Sequence, residues 1–137
     1  MPVNKYFKRH MTVAILRTYL LDKPRAQLDF PFGEEIEVYK VKGKMFATLA
    51  IGKMGKGDGD KREYWMNLKC DPNEAIMLRD VFDAVIPGYH MNKQHWNTVI
   101  IDGSIPQGEI ERMIDSSFDL VVGQLTKKEQ TSINVLK

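Results

Sequence analysis

Residues 64–74 read YWMNLKCDPNE and join the end of a strand to the start of a helix. Apolar and more polar side chains alternate in the first half, which predicts a strand with one buried face. In the second half Asp71 occupies the N-cap position, Pro72 the first helical position and Glu74 the third position after the cap, as is typical of a helix start. The buried strand face comprises Tyr64, Met66, Leu68 and Cys70. This stretch therefore predicts a domain that contains both sheet and helix.

The chain before this stretch predicts a helix and a hairpin. Apolar residues recur at helical spacing from about Met11 to Leu21, and Lys23-Pro24 ends that helix. The segments EIEVYKV and KMFATLAIG flank the turn KGK, and their β-branched and aromatic residues predict a β-hairpin. A basic loop punctuated by glycines, KMGKGDGDKR, follows at residues 53–62. This part of the chain therefore supplies one helix and two strands.

The chain after this stretch predicts two helices with a strand between them. The helix that begins at Asp71 is expected to end at Pro87-Gly88, TVIID at residues 98–102 reads as a short strand, and a long helix begins near Pro106. The stripe expected to be buried on the first helix is Ala75, Leu78, Val81, Phe82 and Val85, and that on the second is Ile110, Met113, Ile114, Val121, Val122 and Leu125. The tail from residue 127 onward, KKEQTSINVLK, is expected to be loose.

These elements predict an α+β fold in two layers. Strands joined by short turns form a mainly antiparallel sheet, and three amphipathic helices need one face of that sheet to cover. A chain of 137 residues has the size of one domain. We divide it into a basic arm or helix extension at residues 1–11, a single domain at residues 12–128 and a tail at residues 129–137.

The composition excludes several classes of protein. Hydrophobic residues make up 43% of the chain and charged residues 28%, which are ordinary values for a globular protein and not those of a disordered or fibrous one. No apolar stretch approaches the ~20 residues of a membrane span, and no signal-peptide cleavage site follows the first apolar residues. The net charge of +2 is too small to predict nucleic-acid binding, and the one cysteine, Cys70, fits a reducing compartment. We therefore expect a cytoplasmic protein with no membrane partner.

The stretch GYHMNKQHWNTVII at residues 88–101 contains most of the candidate functional side chains. His90 and His95 are five residues apart, which is not the spacing of paired metal ligands, and Cys70 would be a distant third ligand. No nucleophile motif surrounds Cys70 or the serines. Counted from Gly52, the glycine spacing of a phosphate-binding loop reaches Gly57, but Asp58 stands where that motif requires lysine. We therefore predict no catalytic residue, no metal and no cofactor, with a metal or small-ligand site at His90, His95 and Cys70 kept as a third hypothesis.

A basic and aromatic surface is the remaining interpretation of this stretch. Exposed rings among cations suit stacking on bases and contact with phosphates. In the competing interpretation, Tyr89 and Trp96 pack inward and the histidine rings bond backbone groups of the turn, because aromatic side chains usually bury most of their surface. The side chains concerned are Trp65, Lys69, His90, Lys93, His95 and Trp96. The residue pattern leaves both interpretations open.

Several motifs, in this order along the chain, resemble the YjbR/MmcQ family of small bacterial proteins. They are FPFG at residues 30–33, VYKVKGKMFA at 38–47, LKCDP at 68–72, PGYHMNKQHWNTV at 87–99 and SSFDLVVGQLTKK at 116–128. The resemblance implies a CyaY-like fold with the order α-β-β-β-α-β-β-α, whose additional strand would fall near residues 89–91. It also implies a double-wing DNA-binding protein without assigned catalytic residues, and the wing tips here would be residues 53–62 and the segment around Lys93.

We therefore expect a non-enzymatic domain that binds nucleic acid, above all double-stranded DNA. The side chains expected to form the contact surface are Lys53, Lys56, Lys61, Arg62, His90, Lys93, His95 and Trp96. The alternative is a protein-interaction module whose open sheet face takes a protein partner or a second copy of the chain. An apolar open face that includes Trp65 would favour this alternative, whereas a positively charged open face would favour DNA.

Overall fold

The computed structural model describes residues 5–52 and 63–134. The helices are α1 (Lys5–Leu21), α2 (Pro72–Val81), α3 (Gln107–Gly123) and α4 (Lys127–Asn134). The strands are β1 (Ala26–Asp29), β2 (Glu37–Val41), β3 (Lys44–Ile51), β4 (Tyr64–Lys69), β5 (Val85–Pro87) and β6 (Trp96–Ile101). None of the helices in these residues is long and apolar enough to cross a bilayer.

The six strands form one antiparallel sheet in the order β1-β2-β3-β4-β6-β5. The hairpin of β2 and β3 turns at Lys42 and Gly43, whose φ angles of 50° and 78° are both positive. A two-residue turn with positive φ at both positions matches the twist of the flanking strands, and glycine adopts it without steric cost. The predicted hairpin is therefore confirmed, and it places β3 beside the central strand β4.

The hydrophobic core lies between one face of this sheet and the helices. α3 packs across β3 and β4, where the rings of Phe46 and Phe118 meet edge to face with centroids 5.2 Å apart. α1 contributes Leu16 and Leu20, which are fully buried, to the same core. The four described helices all contribute to this one cluster, so within residues 5–52 and 63–134 no helix lies on the opposite face of the sheet. The predicted two-layer α+β fold is confirmed.

Polar contacts attach α1 to the edge of the helix-covered face. The guanidinium of Arg17 donates to the carboxylate of Glu37, from Nε to Oε1 at 3.0 Å and to Oε2 at 3.1 Å, and from Nη2 to Oε2 at 2.8 Å. The hydroxyl of the buried Tyr39 donates to Glu37 Oε1 at 2.6 Å. Burial and this hydrogen bond both raise the pKa of Tyr39, so the phenol stays neutral and acts as the donor. The position of α1 on the sheet is therefore fixed by polar contacts as well as by packing.

The stretch at residues 64–74 folds as the sequence predicts. Met66 and Leu68 of β4 are buried under the helices. Asp71 caps α2, because its Oδ2 atom accepts hydrogen bonds from the backbone N–H of Asn73 at 3.1 Å and of Glu74 at 3.2 Å.

Two elements differ from the sequence prediction between residues 71 and 91. α2 ends at Val81, whose side chain is 64% exposed, and not at Pro87-Gly88 with Val81 in the buried stripe. The additional strand is β5 at Val85–Pro87 and not near residues 89–91. Val85 is buried because it pairs with Val99 of β6, a partner that is distant in sequence. Pairing between distant segments leaves no local signal, which is why periodicity alone extended the helix too far.

Two elements lie where the sequence analysis assigned none. β1 is a short, exposed edge strand that pairs with β2. The expectation of a loose tail is wrong for residues 127–134, which form α4 with Ile133 completely buried. Residues 5–11 continue α1, which is the helix-extension alternative for that segment.

Candidate functional site

The face of the sheet opposite the core, which none of the described helices covers, is the candidate functional site, here called the open face. The strand register places one row of side chains across it, from Thr48 of β3 through Asn67 of β4 to Thr98 of β6. Trp65 lies on the same face next to this row. Apolar side chains at the β2 side of the face, Ile36, Val38 and Ala50, form a small buried cluster of their own. The open face is therefore a polar and aromatic strip beside an apolar border.

The connection between β5 and β6 folds back over this strip. The backbone N–H of Tyr89 donates to Thr98 Oγ1 at 2.9 Å, and Asn67 Nδ2 donates to the carbonyl of Tyr89 at 3.4 Å. The hydroxyl of Thr98 in turn donates to Asn67 Oδ1. Because each group in this chain of contacts engages the next, Tyr89 is held above β4 and β6.

An aromatic cluster results from this arrangement. The rings of Trp65 and Tyr89 meet edge to face with centroids 5.8 Å apart, and the centroid of His90 lies 4.3 Å from that of Tyr89. Trp65 and Tyr89 are partly buried, whereas His90 is exposed and has a positive φ of 58°. Such a φ is uncommon outside glycine, and histidine is among the residues that tolerate it best. The cluster therefore presents partly exposed rings at a fixed position on the open face.

The remainder of this connection is fixed from the helix side by Arg79 of α2. Its Nε atom donates to Asn97 Oδ1 at 2.7 Å, and its Nη2 atom donates to the carbonyl of Lys93 and, at 3.4 Å, to that of Trp96. The carbonyl of His95 accepts from the backbone N–H of Cys70 at 2.7 Å. These contacts hold the backbone of residues 93–97 and leave the side chains of Lys93 and His95 exposed.

The sequence-predicted site residues fall into two groups and not one. His90 joins the aromatic cluster, while Lys93, His95 and the half-buried Trp96 lie at the end of β4 marked by Lys69. Lys53, Lys56, Lys61 and Arg62 lie outside the described residues. The described residues that flank them, Gly52 and Glu63, lie at the other end of β4, where Gly52 N donates to Glu63 O at 2.9 Å. The six residues of β4 separate the two ends by about 20 Å.

Two side chains of the predicted surface have other positions or roles. Lys69 does not point across the open face, because its Nζ atom donates to Gln124 Oε1 at 2.8 Å, at the end of α3. Neither interpretation of the rings holds in full, since Tyr89 and Trp96 are partly buried and the histidine side chains remain exposed.

Cys70 lies in the core, away from the open face. Burial, with smaller contributions from the charges of Glu74 and Asp71, raises the pKa of its thiol to about 11. A thiol of this pKa is protonated at neutral pH and is a poor nucleophile and metal ligand. His90 lies over the opposite face of the sheet, so the site proposed from His90, His95 and Cys70 does not assemble. Across residues 5–52 and 63–134, no three His, Cys, Asp or Glu side chains converge as metal ligands.

A depression on the open face is the feature that the sequence analysis missed. It measures about 280 Å³ including its open mouth. Its lining consists of Ile36, Thr48, Ala50, Gly52, Trp65, Asn67 and Tyr89. The available signal in the sequence was one polar residue in each of three strands, which are Thr48 in β3, Asn67 in β4 and Thr98 in β6. Only the strand register shows that these positions are adjacent.

Comparison with known proteins identifies the family of this chain. The YjbR family model matches residues 21–120. The chain is 34% identical over 113 residues to the uncharacterized protein YbdF of Escherichia coli O157:H7, a match that covers 82% of this chain and 86% of that protein. It is 30% identical over 120 residues to the uncharacterized protein YjbR of Escherichia coli K12, covering 88% of this chain and 95% of that protein. The chain therefore belongs to the YjbR family.

Solved structures show the same fold. The crystal structure of the Deinococcus radiodurans protein DR2400 superposes with a TM-score of 0.76 at 31% identity, over 89% of this chain and 87% of that one. A crystal structure of a Pseudomonas syringae protein superposes with a TM-score of 0.67 at 32% identity, over 78% of this chain and 96% of that one. The fold and the family, as read from the motifs, are both confirmed.

Proposed function

We propose that this domain is a non-enzymatic cytosolic protein that binds nucleic acid, in particular DNA, on the open face of its sheet. The observation that supports this proposal most is the cluster of partly exposed rings, Trp65, Tyr89 and His90, held at a fixed position on a face without helices. Rings on a sheet surface stack on bases at little conformational cost, since the protein has already ordered them.

Cations at both ends of β4 supply the electrostatic part of the proposal. The exposed Lys93 and His95 lie at one end, and the basic sequence of residues 53–62 precedes Glu63 at the other end. The separation of about 20 Å corresponds to about six phosphate steps along one nucleic-acid strand, so cations at the two ends of β4 would contact phosphates of the same strand. The cation of Lys40 is less available because its Nζ atom pairs with Asp29 Oδ2 at 2.9 Å. With a net charge of only +2, we expect weak binding that is sensitive to salt.

A titration tests the proposal. Fluorescence anisotropy with labelled double-stranded and single-stranded oligonucleotides, at low and at physiological salt, should show binding that weakens as salt rises. Lys93→Ala should lower the affinity severalfold and reduce the salt slope by about one, because it removes one phosphate contact. The matched control is Lys128→Ala, an exposed lysine of α4 on the helix layer, which should leave the affinity unchanged. Absence of binding to every oligonucleotide at low salt contradicts the proposal, as does an equal loss in the control.

The alternative function, protein interaction or self-association through the open face, has less support. Its apolar border is already buried, since Ile36, Val38 and Ala50 pack together. Among the described residues, the large apolar side chains with the greatest exposure lie elsewhere, at Phe32 after β1 and on the outer side of α2. Those on α2 are Ile76, Met77 and Val81. Light scattering of the protein alone would detect self-association, and dimers that dissociate on mutation of Trp65 would favour the alternative.

A further inference from the structure

The depression on the open face contains a buried hydroxyl that has no partner among residues 5–52 and 63–134. The side chain of Thr48 lines the depression and is only 8% exposed. Within the part of the chain that the structure describes, its hydroxyl forms no hydrogen bond, unlike the hydroxyl of Thr98 in the same row. Buried polar groups are nearly always hydrogen-bonded to protein, water or a ligand, so this hydroxyl at the base of an open depression is available to a polar group that enters it.

A second polar group converges on the same space. Asn67 is the register partner of Thr48 on the adjacent strand. Its amide donates one hydrogen bond to the carbonyl of Tyr89 and accepts one from Thr98, which leaves one N–H and one lone pair free by its bonding capacity. Together, the hydroxyl and the amide offer both a donor and an acceptor, side by side, to one edge of a ligand.

The rest of the lining is apolar or aromatic. Ile36 and Ala50 border the depression on one side, and the rings of Trp65 and Tyr89 border it on the other. The enclosed part of the depression is about 30 Å³, and the figure of about 280 Å³ includes the space at its mouth that is open to solvent. The enclosed part therefore has room only for the polar edge of a planar ring, whose face would lie at the mouth against Trp65 and Tyr89.

We propose that this depression holds a single unpaired nucleobase, with the base edge hydrogen-bonded to Thr48 and Asn67 and its ring against Trp65 and Tyr89. The inference rests on the proposed function and specifies which form of nucleic acid is bound, because a base can enter the depression only when it is out of a duplex stack. The preferred ligand is therefore single-stranded nucleic acid or a locally opened duplex.

Two substitutions in the full chain test the depression. Thr48→Val removes the hydroxyl at nearly constant volume, and Ala50→Met fills the space from its border. Thr131→Val is the matched control, since Thr131 is exposed on α4. Because Thr48→Val removes a buried polar group without a partner, it should fold at least as stably as the wild-type protein, which thermal unfolding will show.

The readouts are anisotropy with single-stranded oligonucleotides of each base, anisotropy with a duplex, and quenching of tryptophan fluorescence. We expect single strands to bind more tightly than the duplex, and both depression variants to lose about five- to tenfold in single-strand affinity, as is usual for loss of one base contact. Duplex affinity and the Thr131→Val control should not change. If both variants bind single strands as the wild type does, the base site is overturned while salt-sensitive binding still supports the proposed function. If the wild-type protein binds neither form, both proposals fail. Binding of free nucleosides but of no oligonucleotide would show that the ligand is not a nucleic-acid strand.

Discussion

At residue 88 the backbone passes so close to β6 that only glycine fits. A Cβ atom on Gly88 would lie 2.8 Å from Trp96 Cβ and 2.9 Å from Trp96 O, both closer than van der Waals contact allows. The same segment is tied to β6 by the hydrogen bond from Gly88 N to Trp96 O at 2.9 Å. The glycine therefore lets the chain turn back over the open face and place Tyr89 there.

Gly88→Ala should destabilise the protein by about 2 kcal/mol, because the turn must move away from Trp96 to accommodate the methyl group. Urea denaturation will measure the change in the free energy of unfolding. The matched control is Gly108→Ala in α3, where a Cβ atom would meet no atom within 4 Å and alanine favours the helix, so stability should rise by about 0.5 kcal/mol. Equal effects of the two substitutions would contradict the close approach at Gly88.

The thiol of Cys70 should ionise, and so become reactive, only at a pH well above that at which an ordinary cysteine ionises. Burial raises its pKa to about 11, so at pH 8 only about one molecule in a thousand carries the reactive thiolate. Modification of the native protein by a disulfide reagent should therefore be slow at pH 8 and accelerate up to about pH 11. The protein in urea, with Cys70 in water, should show the ordinary thiol profile instead. A midpoint of the native profile near pH 8.5 would contradict the burial of this side chain.

The raised pKa of Cys70 also makes the free energy of unfolding depend on pH. The folded state holds the Cys70 proton more tightly than the unfolded state does, so its contribution is complete below the ordinary thiol pKa and is lost as pH rises towards 11. Comparing the wild-type protein with Cys70→Ala by urea denaturation between pH 8 and pH 11 will isolate this contribution. The difference between the two proteins should change with pH in that window only.

At the scale of elements, Arg79 joins α2 to the turn before β6. Its planar group engages the side chain of Asn97 and the carbonyls of Lys93 and Trp96 at once. Asn97 is buried and its Nδ2 atom donates to the carbonyl of Ala75, so both the oxygen and the nitrogen of its side chain are hydrogen-bonded. The turn is thereby held from the helix side, even though its side chains face solvent.

Arg79→Lys should cost about 1–3 kcal/mol, because an ammonium group cannot reproduce the fork of donors and Asn97 Oδ1 is left buried without its partner. Hydrogen exchange should also become faster at the amide of Cys70, whose acceptor is the carbonyl of His95. Arg112→Lys is the control, since Arg112 forms an exposed pair with Glu74 at 2.8 Å and such pairs contribute little. If Arg79→Lys lowers the stability as little as Arg112→Lys does, the contacts of Arg79 do not hold the turn.

The elements also show what the sequence could and could not predict. β4 and the start of α2 were predicted because their signals are local: alternation along one strand, and a cap whose side chain bonds the next residues. β5 was misplaced and β1 was missed because both are defined by pairing with strands distant in sequence. α4 had a local signal that was overlooked, since Thr126 and Glu129 form a reciprocal capping box with hydrogen bonds of 3.1 Å.

The candidate site was predictable only in part for the same reason. His90, Lys93, His95 and Trp96 were identified because they crowd into one short segment. The row of Thr48, Asn67 and Thr98 spans three strands, so its members become neighbours only through the register of the folded sheet. Local composition therefore found the exposed side chains, while the depression beneath them required the tertiary structure.

At the scale of the whole molecule, the core extends beyond the part of the chain that the family model covers. The model matches residues 21–120, yet Leu16 and Leu20 of α1 and Ile133 of α4 are fully buried in the main core. Val121 and Leu125, just past the matched segment, are buried as well. Residues of α1 and of α4, which lie far apart in the sequence, therefore complete the same core.

A fragment of residues 21–120 should consequently fail to fold. Loss of a single buried aliphatic side chain costs about 2–5 kcal/mol, and the loss of several exceeds the total stability of about 5–15 kcal/mol that is usual for a domain. Circular dichroism and the dispersion of amide resonances should show an unfolded or loosely packed chain. A fragment of residues 5–134 retains α1 and α4 and should unfold cooperatively at nearly the temperature of the full chain, because it retains all the core side chains named above. Cooperative unfolding of the shorter fragment would mean that the sheet, α2 and α3 form a sufficient core without either end of the chain.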